Sequence, residues 1–282
     1  MSLLDRIREF RPPDFSRLLP FRVAGETLGW VRPSFAGALR RFPETFRVAD
    51  HEVALSSQLA TPDARSEAVD RVLRTLHSDG IVPKIRGERF AVANRFGEPP
   101  RLVIDRAAVT LFGTRAFGIH VNGYVGEGDA MRLWIGRRAR DKAVAPGKLD
   151  HLVAGGQPAG LGLTENLLKE AHEEAGIAEA LARRARPTGY CSYLIETGEG
   201  VRNDVLFTYD LAVPATFVPR NTDGEIEDYR LLAIGEVMRL TADTQDFKFN
   251  VALVNIDFLV RHGFVTPDDP DYIEIVAGLR RG

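Results

Sequence analysis

The chain has 282 residues, of which 44% are hydrophobic and 27% are charged, and its formal net charge is −2. This length accommodates two domains, and the composition is that of a folded globular protein. The near-zero net charge argues against a protein that binds nucleic acid or anionic membranes through an overall basic field. The single cysteine, Cys191, cannot form an internal disulfide and fits a reducing compartment.

The first residues indicate a cytoplasmic protein. Charged residues follow Leu3 and Leu4 at once, so no signal-peptide core is expected. No apolar run approaches the roughly 20 residues that a membrane span needs. We therefore expect neither a membrane nor a nucleic-acid partner, and the sequence leaves the oligomeric state open.

The first part of the chain is predicted to be a small α+β domain. Hydrophobic spacing predicts helices over residues 34–41 and 62–77, with strand pieces within 46–55. Residues 84–92 are typical of a hairpin that turns at Gly87. The turn-rich segment 94–100 indicates a boundary region, and a helix over 105–111 then bridges the two halves. The predicted domains are residues 1–112 and 113–282.

The second part alternates strand and helix patterns. Strands are predicted over 118–125 and 132–136, with a hairpin break at 126–129. Residues 149–154 lead into a glycine-rich turn at Gly155 and Gly156. Further strands are predicted at 190–195, 204–211 and 229–232, and two late helices at 249–261 and 272–280.

Three glutamates follow the paired glycines on one predicted helix. If Thr164 caps this helix and Gly176 ends it, Glu170, Glu173 and Glu174 fall at i, i+3 and i+4. At about 100° per residue they share one helix face. Like charges at this spacing destabilise a bare helix, and a divalent cation held by oxygen ligands would relieve the repulsion. A solvated acidic surface is the alternative interpretation.

The spacing of these residues resembles the Nudix box, G-x5-E-x7-R-E-U-x-E-E-x-G-U, in which U is a bulky apolar residue. The matching positions are Gly155, Glu170, Glu173, Glu174, Gly176 and Ile177. Three positions depart from it: Lys169 replaces the arginine, Ala171 is small for U, and Leu161 stands where the box has a loop glutamate. The resemblance implies an α+β protein, namely a Nudix α/β/α sandwich with a mixed sheet, preceded by the smaller N-terminal α+β domain.

The same resemblance implies a metal-dependent diphosphate hydrolase. Glu170, Glu173 and Glu174 are then the catalytic ligands of Mg²⁺ or Mn²⁺, and Glu170 or Glu173 could also act partly as the base. Glu225, in a later acidic turn, is a further candidate for the base. The expected substrate-binding positions are Gly155, Gly156, Arg140 and Lys148, the last two because cationic side chains suit phosphate oxygens.

A second resemblance concerns the substrate. Segments 26–33, 136–142, 146–150, 154–160 and 221–224 are similar to a Nudix subgroup that carries an N-terminal domain of unassigned role and is fused in fungi to thiamine pyrophosphokinase. This implies a small-molecule diphosphate substrate, either of nucleoside-diphosphate type or thiamine diphosphate and its damaged analogues.

Two other functions stay open from the sequence. One is a non-catalytic Nudix module that binds a ligand as a sensor, although such a module has no need of all three glutamates. The other is a diphosphate isomerase, which would want a catalytic cysteine in the sheet. Cys191 alone does not supply that pattern, and its apolar surroundings favour a packing role.

Overall fold

The computed structural model describes residues 2–142 and 144–282. The helices are α1 Leu3–Arg8, α2 Pro33–Leu39, α3 Pro62–Ser78, α4 Val109–Phe112, α5 Leu163–Ala175, α6 Glu179–Ala182, α7 Ile234–Asp243, α8 Phe249–Arg261 and α9 Tyr272–Gly278. The strands are β1 Leu19–Val23, β2 Glu26–Val31, β3 Phe46–Val48, β4 Val53–Leu55, β5 Arg89–Val92, β6 Leu102–Asp105, β7 Arg115–Val125, β8 Arg132–Arg138, β9 Leu149–Asp150, β10 Val153–Gly156, β11 Arg186–Glu196, β12 Val201–Ala212 and β13 Ile226–Ala233.

The first domain is built on a four-stranded sheet in the order β2-β1-β4-β3. Apolar residues at alternate strand positions face helices α2 and α3 and form one buried cluster with them. The helix α3 begins at the N-cap Thr61, whose side chain accepts the amide of Ala64. The other face of this sheet carries polar residues.

The predicted hairpin at Gly87 is wrong. Strand β5 pairs with β6, so the turn-rich segment 94–100 connects two strands of the first domain. Gly87 does turn, at φ +77°, but the residues before it form no strand that could pair with β5. The Gly87 signal is local, whereas the true partner of β5 follows ten residues after it, and periodicity alone does not choose between the two.

The second domain is an α/β/α sandwich. Its seven-stranded sheet runs β11-β12-β7-β8-β13, with β10 added on β7 and β9 on β8. The sheet is mixed, because β12 is parallel to β7 while the remaining pairs are antiparallel. Helices α5 and α6 cover one face, where Ile119 and Val121 of β7 join their core. Helices α7, α8 and α9 cover the other face.

The N-terminal helix α1 packs into this second core. Leu3, Leu4 and Ile7 are buried there among residues of α7, α8 and α9. Ser2 caps the helix and exchanges hydrogen bonds with Asp5, which explains why so short a segment is helical. The sequence pattern did not indicate α1, α7, β1 or β2. Across residues 2–142 and 144–282, no helix combines the length and apolar character required to cross a membrane.

Candidate active site

Helix α5 carries the three glutamates. Its N-cap is Gly162 and not Thr164, which lies inside the first turn; the Glu165 carboxylate accepts the Gly162 amide at 2.8 Å. The helix ends as predicted at Gly176, which adopts the left-handed conformation at φ +61°. The prediction of Thr164 as N-cap is wrong because a capping box normally has serine or threonine at the N-cap and glutamate three residues later. Here Glu165 is present, but the N-cap is a glycine without a side chain.

Lys169 joins two of the glutamates. Its Nζ atom donates to Glu170 Oε1 at 3.0 Å and to Glu173 Oε2 at 2.8 Å. Partial burial disfavours the charged form of Lys169, but these bonds outweigh it and raise its pKa. Burial raises the pKa of Glu170, whose side chain is only 13% exposed. A cation thus already lies between two carboxylates at the position where the Nudix box has arginine.

Glu174 is turned toward the sheet. It is buried, and its Oε2 atom accepts the backbone amide of Ala154 at 2.8 Å. Burial raises the pKa of Glu174 well above the ordinary carboxyl range, and the nearby Asp150, Glu170 and Glu225 add to this effect. A bound cation would offset the free-energy cost of ionising Glu174 in this buried position.

The paired glycines lie at the end of strand β10 and not in the predicted turn, which residues 157–162 form instead. Each glycine allows a close contact. A Cβ atom on Gly155 would lie 2.5 Å from the carboxyl carbon of Glu170, and one on Gly156 would lie 2.6 Å from Cζ of Phe90. The first glycine therefore makes room for a candidate metal ligand, and the second makes room for the N-terminal domain.

These contacts predict different outcomes for two matched substitutions. In Gly155→Ala the added methyl group would contact the end of the flexible Glu170 side chain and displace it. Turnover should fall at least about tenfold, while the free energy of unfolding should fall by less than about 1 kcal/mol. Gly156→Ala meets a buried ring and should cost about 1–3 kcal/mol in unfolding free energy. Urea unfolding and steady-state kinetics on both variants check this. Equal stability losses would contradict it.

The edge of the first domain lies beside the glutamates. Phe90 of β5 packs on Gly156, and the carbonyl of Arg89 accepts the amide of Ala159 at 2.8 Å. Glu88, one residue earlier, is close enough to contribute to the raised pKa of Glu170. Arg106 pairs with Glu88 at 2.8 Å. The N-terminal domain therefore forms part of the wall around the candidate site.

The two predicted basic contacts pair with groups other than the three glutamates. Arg140 is 86% exposed and pairs with Glu227 at 3.5 Å, and Lys148 donates to the Gln245 carbonyl at 2.5 Å. Their roles in phosphate binding stay predictions. Two cations outside the prediction act on acidic groups around the site: the charge of Lys248 interacts with Asp150 and Glu174, and that of Arg138 acts on Glu225. Lys248 belongs to the start of α8, so only long-range packing reveals it.

Glu225 comes close to the glutamate helix through the loop that precedes β13. The Thr222 hydroxyl donates to the Glu173 carbonyl at 2.6 Å, and the Arg220 amide donates to the Ala175 carbonyl at 2.9 Å, so this loop satisfies carbonyls at the end of α5. Lys142 forms an ion pair with Glu225. Burial opposes ionisation of Glu225, but the bond from Lys142 and the nearby arginines lower its pKa. Its candidacy as base has a structural basis, and the role itself stays a prediction.

Beneath the site, between the sheet and α8, lies a buried polar cluster that the sequence did not indicate. His120 Nδ1 lies 2.8 Å from His151 Nδ1, and His151 Nε2 lies 3.0 Å from Asn255 Oδ1. Asp150 accepts from Arg138 at 2.9 Å, and Lys248 Nζ lies 3.5 Å away. We call His120, Asp150, His151 and Asn255 the buried cluster.

The buried cluster contains ligand types for a metal, since atoms of His120, Asp150 and His151 all lie within 4.8 Å of one another. Two cations already neutralise the one carboxylate, however, and adding a dication would place several positive charges around a single negative one in a buried space. We interpret the cluster as a hydrogen-bonded polar part of the core.

The buried histidines predict a loss of stability in mild acid. Burial lowers the pKa of His151 from 6.5 to about 4, so between these values the unfolded chain binds a proton that the folded chain does not. Folding stability therefore falls as the pH decreases, by about 2 kcal/mol from pH 7.5 to pH 5 for this residue. Urea unfolding at the two pH values should show a smaller difference in His151→Asn than in the wild type. The exposed His172 supplies the control, and identical slopes in all three proteins would refute the assignment.

The glutamates provide a donor set that fits a hard divalent cation. All three offer carboxylate oxygens, which Mg²⁺ and Mn²⁺ prefer, and burial raises the pKa of both Glu170 and Glu174. Within the part of the chain that the structure describes, the three carboxylates do not converge as tightly as the buried cluster does. Lys169, whose side chain is 44% exposed, has room to leave the space between Glu170 and Glu173.

Cys191 lies on the far side of the sheet. It is fully buried in the core that α8 covers, and its Sγ atom contacts the Leu253 carbonyl at 3.7 Å. Burial raises the pKa of its thiol. This environment confirms the predicted packing role and gives the isomerase interpretation no accessible cysteine.

Comparisons with known proteins identify the family of the chain. Residues 2–116 match a family model described as a domain of unknown function, DUF4743. The chain is 42% identical over 266 residues to Nudix hydrolase 24, chloroplastic, of Arabidopsis thaliana, covering 94% of this chain and 73% of that protein. It is 40% identical over 271 residues to Nudix hydrolase 20, chloroplastic, of the same plant, covering 93% of this chain and 72% of the relative.

Among solved structures, the crystal structure of DR0079 from Deinococcus radiodurans is 24% identical, with a TM-score of 0.44, over 60% of this chain and 97% of that one. The similarity to the two plant enzymes extends over both domains of the chain. The protein is a hydrolase that belongs to the Nudix family.

Proposed function

We propose that the protein hydrolyses the diphosphate bond of a small molecule, with Mg²⁺ or Mn²⁺ held by Glu170, Glu173 and Glu174. The observation that carries this proposal is that Glu174 is buried and that the Glu170 side chain, beside Gly155, is only 13% exposed, since loss of solvent raises the pKa of both carboxyls and a cation would favour their ionised forms. A solvated acidic surface would leave these side chains exposed.

The bound cation would supply charge neutralisation on the phosphates and a more acidic water. Strand β10 and helix α5 fix the positions of the ligands, because Gly155 allows Glu170 to lie against the strand and Ala154 holds Glu174. Of the three candidate bases, burial makes Glu170 a stronger proton acceptor than Glu225, which Lys142 and the arginines keep ionised, and Glu173 stays a candidate. Lys142, whose side chain is 24% exposed, would add positive charge for the phosphate groups, whereas Lys248 and Arg138 pair with Asp150 beneath the site.

The organic half of the substrate would meet the first domain. Glu88, Phe90 and Arg106 stand at its edge, and the Arg106 guanidinium lies 5.7 Å from the centre of the Phe90 ring. We propose thiamine diphosphate or its damaged analogues as the first substrates to try, on the similarity of segments such as 26–33 and 154–160 to the thiamine-linked subgroup. The products would be the monophosphate and phosphate.

The test is a screen for diphosphate hydrolysis over nucleoside-diphosphate-linked compounds, sugar nucleotides and thiamine diphosphates, with Mg²⁺, with Mn²⁺ and with EDTA, run beside Glu173→Gln. Thiamine diphosphates release phosphate directly, whereas the other compounds yield two monophosphates, from which an added phosphatase then releases phosphate. We expect metal-dependent release from one class and at least about tenfold slower release by the variant. Equal release by both proteins from every compound would refute the hydrolytic site. Tight binding of one compound without turnover would favour the sensor.

A further inference from the structure

The outer face of the first-domain sheet carries a cavity of about 1080 Å³. The strand register places Arg22 of β1 opposite Ala54 of β4, and Ala54 opposite Arg47 of β3. Neighbouring residues such as Val53 and Leu55 point the other way, into the core. The small side chain of Ala54 between two arginines gives this face its depth.

The cavity concentrates positive charge in a chain whose net charge is −2. Its lining contains four arginines and one carboxylate, which leaves three positive charges in excess; the arginines are Arg22, Arg40, Arg47 and Arg65, and the carboxylate is Glu52. Glu52 is 10% exposed and pairs with Arg47 and, at 3.6 Å, with Arg22. One acid therefore neutralises only part of the lining.

Among residues 2–142 and 144–282, the other two arginines have no effective counterion. Arg65 donates to the backbone carbonyls of Leu59, Ala60 and Arg101 at 2.9 to 3.2 Å, which fix its guanidinium but leave its charge unbalanced. Arg40 reaches only Asp50, at 3.5 Å, and that carboxylate is fully exposed, so solvent screens the pair. A guanidinium group held by backbone carbonyls and a largely exposed one thus meet at one cavity.

The remaining lining suits an organic molecule. Val48 and Leu59 add apolar surface between the arginines, and the volume is that of a site for a ligand well above the size of a phosphate ion. At the rim, Ala24 adopts a left-handed conformation at φ +50°, which residues other than glycine rarely do, and the adjacent Gly25 carbonyl accepts Arg22 at 2.6 Å. The turn thereby holds one arginine in place.

We propose that this cavity binds a phosphorylated organic molecule, with its phosphate groups on the arginines and its organic part on the apolar lining. Guanidinium groups pair with phosphate oxygens through two parallel hydrogen bonds, which favours phosphate over other anions. The cavity shares no lining residue with the glutamate helix or with the β5 edge. The proposal is therefore independent of the hydrolytic function and gives the first domain a binding role of its own.

Titration calorimetry on the full chain at low salt, with EDTA to keep divalent ions from the glutamates, tests the proposal. The probes are ADP, pyrophosphate and inorganic phosphate. We expect ADP to bind, and Arg40→Ala combined with Arg47→Ala to weaken it at least tenfold. Both side chains are largely exposed, at 59% and 65%, so their removal leaves the fold intact, which thermal unfolding verifies.

Arg41→Ala is the matched control, because Arg41 follows Arg40 directly, pairs with Asp79 at 2.8 Å and does not line the cavity. It should change ADP affinity less than twofold. Equal weakening by the control, binding that disappears in Glu170→Gln but survives in the double variant, or the absence of binding for all three probes would overturn the proposal. Pyrophosphate binding as tight as that of ADP would overturn the organic part of it.

Discussion

Replacing Glu170 with glutamine should lower metal-dependent turnover on the order of 100-fold or more and leave the fold as stable as before. A metal ligand contributes several kcal/mol to transition-state stabilisation, and about 1.4 kcal/mol corresponds to tenfold in rate. In the metal-free protein, the ionised Glu170 carboxylate lowers the free energy of unfolding, because partial burial disfavours its charge and raises its pKa. The amide removes that cost, so the free energy of unfolding without metal should stay equal or rise.

Steady-state kinetics over a range of Mg²⁺ concentrations, together with urea unfolding in EDTA, check this separation of activity from stability. Glu179→Gln is the matched control, because Glu179 lies nearby on α6, is 64% exposed and pairs only with Arg183 as part of a surface helix pair. It should leave turnover unchanged. A parallel loss of activity and stability in Glu170→Gln would mean that Glu170 is a structural residue.

Replacing Asp150 with asparagine should cost about 3–5 kcal/mol of unfolding free energy, the loss typical of a buried ion pair deprived of one partner. The side chain is 2% exposed and faces Arg138 and Lys248, whose own side chains are 9% and 15% exposed. Asparagine has almost the same shape, so the lost charge dominates the effect. Two buried cations would remain without a carboxylate.

The pH dependence of this loss identifies its origin. Burial disfavours ionised Asp150, but Lys248, the histidines and Arg138 outweigh it and lower the pKa of this carboxyl. Its contribution is therefore complete above the unfolded value of about 3.9 and disappears as the pH falls through the folded pKa. Glu179→Gln, at an exposed pair, should cost less than about 1 kcal/mol. A loss for Asp150→Asn as small as that would refute the ionic role of the buried cluster.

Interactions between close neighbours in sequence made much of the second domain predictable. Helix α5 could be placed because Gly176 ends it and the glutamates recur at helical spacing, and α8 has the bounds that its apolar periodicity predicted. The alternating strands β7 and β8 and the hairpin between them were also visible, since side chains alternate across a strand. Each of these signals is contained within a few residues.

Long-range contacts decided the remainder. The pairing of β5 with β6, the contact of Phe90 with Gly156 and the buried cluster join segments whose sequences carry no mark of one another.

The sequence by itself determined which residues carry the carboxylates and how they are spaced on their helix, because helix geometry is local. Only the tertiary structure decided that Glu174 is buried and Glu170 largely shielded from solvent, that Lys169 joins Glu170 to Glu173, and that four arginines meet at one cavity. Burial and charge pairing depend on which distant segments exclude water from a side chain, and only the packed chain fixes that.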